Sequence, residues 1–372
     1  MILPGKKTDI WQYLTTVRKP VVLYGTGNGA DKILDQLILR DIPVSGVFAS
    51  SDFVRDRSFR GFKVETYEAL KARFPDMIVL VCFGTSLPDV LSNIDRIRKE
   101  CEVYAPDVPV YGKELFDSTF FETHTEELSA VRDFLKDDLS KETFDRVIEY
   151  KLTGDYMLLR PSETAPEAVS EILSLPEESH YIDLGAYNGD TVLLYTGLYP
   201  QIRKVLAVEP DKRNFRKLSE TVQMLLDKDQ DSSDGEKKEK ISVSCVRALV
   251  TDRDGTAFVP KNRGRGVHET AERAEGEELT ATSLVTLLRD FRANLIKMDV
   301  EGNELLAIQG GENIILRDKP SLIVSCYHKS EDLFTLPILL KKLVPEYSVY
   351  MRHHPHLLCW DTEFIFTIDQ NT

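Results

Sequence analysis

No apolar run in the 372-residue chain approaches 18 residues, so no segment reads as a membrane-spanning helix. Met1 to Leu14 lacks the apolar core of a signal peptide, which leaves the cytoplasm as the expected compartment and no membrane partner. Basic residues are the minority, 47 Lys and Arg against 61 Asp and Glu. The net charge of −14 and the pI near 5.1 exclude a nucleic-acid partner, because phosphate backbones select basic surfaces. The local basic pair Arg263 and Arg265 is cancelled by neighbouring Glu residues. Cysteines are few and odd in number: Cys82, Cys101, Cys245, Cys326 and Cys359, with no C-x-x-C spacing. Four of them adjoin apolar residues and read as buried thiols of a reducing compartment, and the set suits neither a disulfide framework nor a metal cluster. What remains is 42% hydrophobic and 29% charged, the balance of a globular protein with sizeable cores. The length calls for two domains.

The first, expected over 1–115, alternates strands and helices. Pro20 to Tyr24, Pro43 to Phe48 and Met77 to Phe83 are apolar strands. Ile33, Leu34, Leu37 and Ile38, then Val90, Ile94 and Ile97, mark helices between and after them. Such alternation specifies a parallel sheet covered on both faces. Gly25, Gly27 and Ala30 fit the dinucleotide pattern G-x-G-x-x-G/A, with strand before and helix after. The acid expected about twenty residues on is missing, since the second strand ends in Ala49-Ser50-Ser51 and Asp52 comes late. Tyr67-x-x-x-Lys71 spells the short-chain dehydrogenase pair but lies too close to the glycine turn for that role. A nucleotide-dependent oxidoreductase or nucleotide-binding protein acting through this domain is the alternative reading. A scaffold that keeps the turn for its backbone geometry is the plainer one.

A helical connector is expected over 116–176. Leu128, Val131, Phe134, Leu135, Leu139, Phe144, Val147 and Ile148 suit two amphipathic helices broken near Leu139-Ser140. A short helix follows between prolines, around Val169 to Leu173. These apolar faces suit a bridge between domains or a homodimer contact.

Over 177–372 the sequence builds a second α/β unit. Tyr181 to Leu184 is a buried strand running into Gly185-Ala186-Tyr187-Asn188-Gly189-Asp190, and a helix follows. This strand–turn–helix unit lets a ligand approach the backbone at a helix N-terminus. Twenty-six residues after Asp183, the strand Val205 to Val208 ends in Glu209. Asp227 to Lys240 holds no apolar residue and ten charged ones, which suits a solvated insertion without order. Ile241 to Val246 is the next strand, with Arg247 and Ala248 at its end. Asp252 to Gly255 suits a hairpin turn. Lys261 to Glu278 is a polar loop, filler or lid. Leu295 to Met298 runs into Asp299-Val300-Glu301-Gly302-Asn303-Glu304, and Leu322 to Cys326 into Tyr327-His328. Tyr347 to Met351 and Glu363 to Ile368 suit a closing antiparallel hairpin.

On these residues 177–368 resemble the FkbM-type methyltransferases. The resemblance rests on Asp183-Leu184-Gly185-Ala186-x-x-Gly189-Asp190-Thr191, on Val208-Glu209-Pro210 with Asn214-Phe215, and on Ile296-Lys297-Met298-Asp299-Val300-Glu301-Gly302-x-Glu304. The last signature is the narrowest. One departure is Val285 after Ser283-Leu284, where the family usually has Asp. The resemblance implies S-adenosylmethionine as cofactor, a seven-stranded sheet with an antiparallel last strand, and O-methylation of a small hydroxylated molecule such as a sugar or natural product. The fold class is then α/β with two Rossmann-like doubly wound domains.

The chemistry of the cofactor agrees. It has a carboxylate, an ammonium and a ribose diol but no pyrophosphate, so a short small-residue turn suffices. Gly185, Ala186, Tyr187, Gly189 and Asp190 are expected to line it, with helix N–H groups facing its carboxylate. Asp183 is placed for the ammonium side and Glu209 for the two ribose hydroxyls. Arg247 and Ala248 are expected to border the adenine, and Asp299 the methyl group. His328, with an ordinary pKa near 6.5, is the expected base. Asp299 and Glu301 complete the catalytic set. Asp299, Glu301 and His328 could also converge on a divalent metal, but spacing alone assigns none.

Overall fold

The computed structural model describes residues 8–50, 58–231, 240–260, 276–289 and 291–368. Among them the N-terminal half forms a six-stranded sheet of β1 (Val21–Tyr24), β2 (Val44–Phe48), β3 (Ser58–Phe59), β4 (Phe62–Glu65), β5 (Ile78–Val81) and β6 (Glu102–Tyr104). The order is β3-β4-β2-β1-β5-β6, parallel throughout except for the β3–β4 hairpin at one edge. Central strands β1 and β5 are buried at every position, as near-continuous Val, Ile and Leu requires when helices cover both faces. The outer strands β3, β4 and β6 were not legible in the sequence. They are two to four residues long and mix polar with apolar side chains.

The C-terminal half is a seven-stranded sheet of β7 (Ser179–Leu184), β8 (Ile202–Val208), β9 (Ser242–Val246), β13 (Leu295–Met298), β14 (Ser321–Ser325), β15 (Ser348–His353) and β16 (Thr362–Thr367). Its order is β15-β16-β14-β13-β7-β8-β9, with β16 antiparallel to both neighbours. Chain direction reverses its progress across the sheet between β7 and β13. The carboxyl ends there form the crevice in which open α/β sheets bind ligands.

Three expectations need correction. First, Asp252 to Gly255 does not turn a hairpin. β10 (Leu249–Val250) and β11 (Gly255–Pro260) lie on opposite sides of β12 (Gly276–Thr282), so β11 pairs antiparallel with β12 and β10 parallel to it. Asp254 instead accepts from Ser283 N–H (2.9 Å) and Thr286 Oγ1 (2.6 Å), holding the helix that Ser283 caps. Second, the polar insertion is partly helical. The helix Lys212–Asp231 continues past Asp227, while 232–239 and the 261–275 part of the expected loop lie outside the described residues. Third, the connector breaks at 135–137. Asp137 Oδ1 accepts from Ser140 N–H (2.7 Å), capping Asp138–Thr153 earlier than hydrophobic spacing suggests.

The connector covers an otherwise open sheet edge. Lys136 N–H donates to the Val349 carbonyl (2.8 Å) and Thr164 N–H to that of His353 (2.9 Å), so both ends of β15 are paired. One buried cluster runs from Val22 and Val79 through Phe144 and Val147 to Ile182 and Ile296, joining the two sheets. Lys151 and Asp107 form a buried ion pair (2.8 Å) at this junction.

Candidate active site

The site begins where β7 ends. Gly185 takes φ +86°, and a Cβ there would lie 1.8 Å from the Asp299 carbonyl oxygen. Only glycine allows the turn after β7 to pass so close to the loop after β13. Tyr187 (φ 44°) and Gly189 (φ +87°) continue the left-handed bends into the helix Asp190–Leu198. Gly185 and Ala186 N–H groups both donate to the Val208 carbonyl (2.9 Å each), fastening the turn to β8. Asp183 is fully buried. Its Oδ2 accepts from Thr191 Oγ1 (2.6 Å), tying strand to helix, while Oδ1 has no hydrogen-bond partner. Burial raises the Asp183 carboxyl, opposed by Lys297. The expected free helix N–H groups are partly taken. Asn188 Oδ1 accepts from Asp190 N–H (3.1 Å) and Asp190 Oδ1 from Thr191 N–H (2.9 Å). Short polar side chains in the turn satisfy these donors locally.

Glu209 stands beside this turn. Tyr187 N–H donates to its Oε2 (2.9 Å) and Asp211 N–H to its Oε1 (2.8 Å), so both oxygens are oriented and each keeps a lone pair. Burial pushes its carboxyl up to about 7 against these backbone donors. Arg247 Nε donates to the Pro210 carbonyl (3.2 Å) and Nη2 to Glu277 (2.9 Å). Arg247 and buried Ala248 therefore lie next to the Glu209 loop, with the guanidinium already committed to protein partners.

Across the turn is a charged cluster. Asp299 Oδ1 accepts from Tyr327 Oη (3.0 Å), and Oδ2 lies 3.4 Å from Lys297 Nζ. Burial would raise the Asp299 carboxyl, but Lys297 and His328 hold it below the usual range. His328 is fully buried. Its Nε2 is 3.5 Å from both Asp299 Oδ1 and Glu301 Oε2, and its Nδ1 is 3.0 Å from Glu304 Oε1. Burial works against the charged ring, yet Glu304, Glu301 and Asp299 raise it well above its ordinary value. The surrounding acids therefore favour the charged ring, unlike the unperturbed imidazole expected from sequence. Glu301 (φ 56°) and Gly302 (φ +91°) bend the loop between Asp299 and Glu304. Left-handed non-glycine residues on both loops, Tyr187 and Glu301, are local strain of the kind that gathers at functional sites.

Comparison with known proteins agrees with this geometry. Residues 183–354 match the family model described as the methyltransferase FkbM domain. The C-terminal half is an FkbM methyltransferase domain. The chain is similar over its length to the crystal structure of a methyltransferase FkbM from Methylobacillus flagellatus KT. That likeness has a TM-score of 0.69 and 18% identity, covering 98% of this chain and 94% of the other, and shows the fold. Further likenesses are to a precorrin-6y C5,15-methyltransferase from Geobacter metallireducens GS-15 (TM-score 0.32, 12% identity, 55% and 87% covered) and to fibrillarin from Aeropyrum pernix (0.30, 12%, 54% and 72%). No curated protein matches the sequence.

A methyltransferase domain of this kind uses S-adenosylmethionine and acts on a methyl acceptor. The residues present fit that cofactor. The left-handed Gly185 turn leaves room at the backbone, Glu209 presents two oriented acceptor oxygens, and Asp183 holds an unsatisfied oxygen behind the turn. Among the described residues no helix is long and apolar enough to cross a membrane.

The structure gathers Gly185, Ala186, Tyr187, Gly189, Asp190 and Glu209 on one side and Asp299, Glu301 and His328 on the other. Sequence reasoning had quoted Lys297 only as part of the signature, had read Glu304 as an acid suited to a helix start and had passed over Tyr327, although each touches this cluster. Tyr111 was invisible to it. It lies 72 residues before Asp183, where the matched domain starts, yet its N–H donates to the His328 carbonyl (2.9 Å) and its ring packs on Gly302.

The N-terminal glycine turn differs. A Cβ at Gly25 would lie 2.8 Å from the Phe83 ring, and one at Gly29 2.3 Å from the Cys82 carbonyl. Tyr24 stacks on Phe48 (4.5 Å) and meets Phe83 edge-on (5.0 Å). Gly84 lies under His356 and Trp360 of the β15–β16 connection. Tyr67 and Lys71 face Glu100 and the carbonyl of Pro75, away from the turn.

Proposed function

We propose that the enzyme methylates a hydroxyl oxygen of a small molecule, such as a sugar or natural product, in the cytoplasm. The observation that carries this reading is the Asp299 carboxylate. It is ionised, a quarter exposed, and set on the loop whose backbone touches the Gly185 turn. S-adenosylmethionine supplies an electrophilic methyl group on a sulfonium.

Methyl transfer is an in-line displacement, so alignment supplies much of the rate. In this reading Gly185 to Asp190 and Glu209 set the donor's position, and Glu209 takes the ribose hydroxyls on its two oxygens. Asp299 accepts the hydrogen bond of the acceptor hydroxyl and draws off its proton as the new bond forms, a contribution of about 10²–10⁴-fold. Lys297 keeps Asp299 ionised. His328, ringed by carboxylates, orients Asp299 and Glu301.

We assign residues 1–115 to a scaffold domain, 116–176 to a connector and 177–372 to the methyltransferase domain. No observation favours an oxidoreductase reading, since Phe83, Tyr24 and Trp360 fill space at the N-terminal strand ends. The test is incubation with methyl-¹³C-labelled S-adenosylmethionine and a pool of hydroxylated metabolites. The expected product carries the label at the chemical shift of an O-methyl carbon. Label found only on nitrogen or carbon would overturn the proposal.

A further inference from the structure

The strand-end cluster holds more acid than its cations can balance. Asp299, Glu301, Glu304 and Asp332 face Lys297 and His328, and Glu304, Asp332 and His328 are at most 2% exposed. Concentrated negative charge without a counter-ion is costly inside a protein. Donor geometry sharpens the point. Glu304 Oε1 accepts from Val300 N–H (2.9 Å), which fixes the carboxylate, but its Oε2 has no hydrogen-bond partner. Neither ring nitrogen of His328 has a well-aligned acceptor, although carboxylate oxygens stand at 3.0–3.5 Å. A buried polar atom left without a partner is destabilising. One donor atom from each of Asp299, Glu304 and His328 lies within 4.8 Å of the others, which is the spread of ligands around one ion.

We propose that Asp299, Glu304 and His328 bind a divalent first-row transition-metal ion at the carboxyl ends of β13 and β14. Two carboxylates and an imidazole are the donor set of such an ion, whereas an all-oxygen shell would suit calcium or magnesium. Asp299 is the ligand on the solvent side, so the ion's open positions face the space where the acceptor hydroxyl is placed. Glu301, 3.5 Å from Nε2, is within reach as a further ligand. The sequence had grouped Asp299 and His328 with Glu301. The structure puts Glu304 in the set because the left-handed pair Glu301-Gly302 turns the following helix so that Glu304 points back under His328. The ion's catalytic consequence, lowering the pKa of a bound hydroxyl, rests on the proposed methyl transfer to oxygen. Its binding does not.

The experiment uses the full chain, stripped with chelator and titrated with Mn²⁺, followed by calorimetry and by loss of the free-ion electron paramagnetic resonance signal. One ion per chain is expected. Asp299→Asn and Glu304→Gln should each weaken Mn²⁺ binding by about tenfold or more, while both variants still bind S-adenosylmethionine, which reports that the fold is intact. Absence of Mn²⁺ binding in the wild type, or wild-type affinity retained in both variants, overturns the metal site and leaves the methyltransferase reading untouched. Site-specific Mn²⁺ binding without any O-methyl product would uphold the metal site and overturn the O-methylation reading.

Discussion

The two glycine turns of this chain have the same local form and different surroundings. Each follows a largely buried strand at the centre of a sheet, opens with a left-handed glycine (φ +119° at Gly25, +86° at Gly185) and leads into a helix. At Gly25 the neighbouring strand end contributes Phe83, and Tyr24 closes over it with Phe48. At Gly185 the neighbours contribute Glu209 on one side and Asp299, with Lys297 and His328, on the other. The turn provides room at the backbone. The adjacent strand ends decide whether that room holds a ligand or a packed aromatic group.

The largest effect that would sharpen this contrast is on turnover. Asp299→Asn should lower methyl transfer by about 10²–10⁴-fold while S-adenosylmethionine still binds, as single-turnover kinetics beside calorimetry will read. Equal turnover would remove Asp299 from the chemistry. Next comes stability. Gly185→Ala combines a left-handed backbone with a Cβ 1.8 Å from the Asp299 carbonyl and should lose about 2–4 kcal/mol in urea denaturation. Gly27→Ala, in the other turn, meets nothing within 4 Å at an ordinary φ and should change stability by less than about 1 kcal/mol. Similar losses in the two variants would break the comparison.

A smaller effect is on pH. The Glu209 carboxyl, at about 7, is ionised above that pH and protonated below it. Ribose hydroxyls donate to the ionised form, so affinity for S-adenosylmethionine should fall as pH drops from 8 to 6, approaching about tenfold per unit. Glu209→Gln should flatten that dependence, and an equally steep profile in the variant would assign it to another group.

Much of this contrast was legible in the sequence because it rests on patterns of short range. Continuous apolar runs mark β1 and β5, short mainly apolar ones mark β7 and β13, and acids at strand ends mark Glu209 and Asp299. The rest depends on contacts that no local pattern encodes. Phe83 reads as one more apolar strand residue until it packs against Gly25. Glu304 reads as an acid suited to a helix start until its carboxylate is found 3.0 Å from His328. The ordinary pKa assumed for His328 failed for the same reason, since three carboxylates from an adjacent loop set it. Two-residue strands such as β3 and β10 carry too few side chains to show a period.

The central claim is that the Gly185 turn, and not the Gly25 turn, holds the cofactor. Calorimetric titration of the wild type and of Glu209→Gln with S-adenosylmethionine and with NAD tests it most directly. The account predicts one equivalent of S-adenosylmethionine bound by the wild type, about 10²-fold weaker binding in Glu209→Gln, and no NAD binding by either. NAD binding, or S-adenosylmethionine binding that Glu209→Gln leaves unchanged, would contradict it.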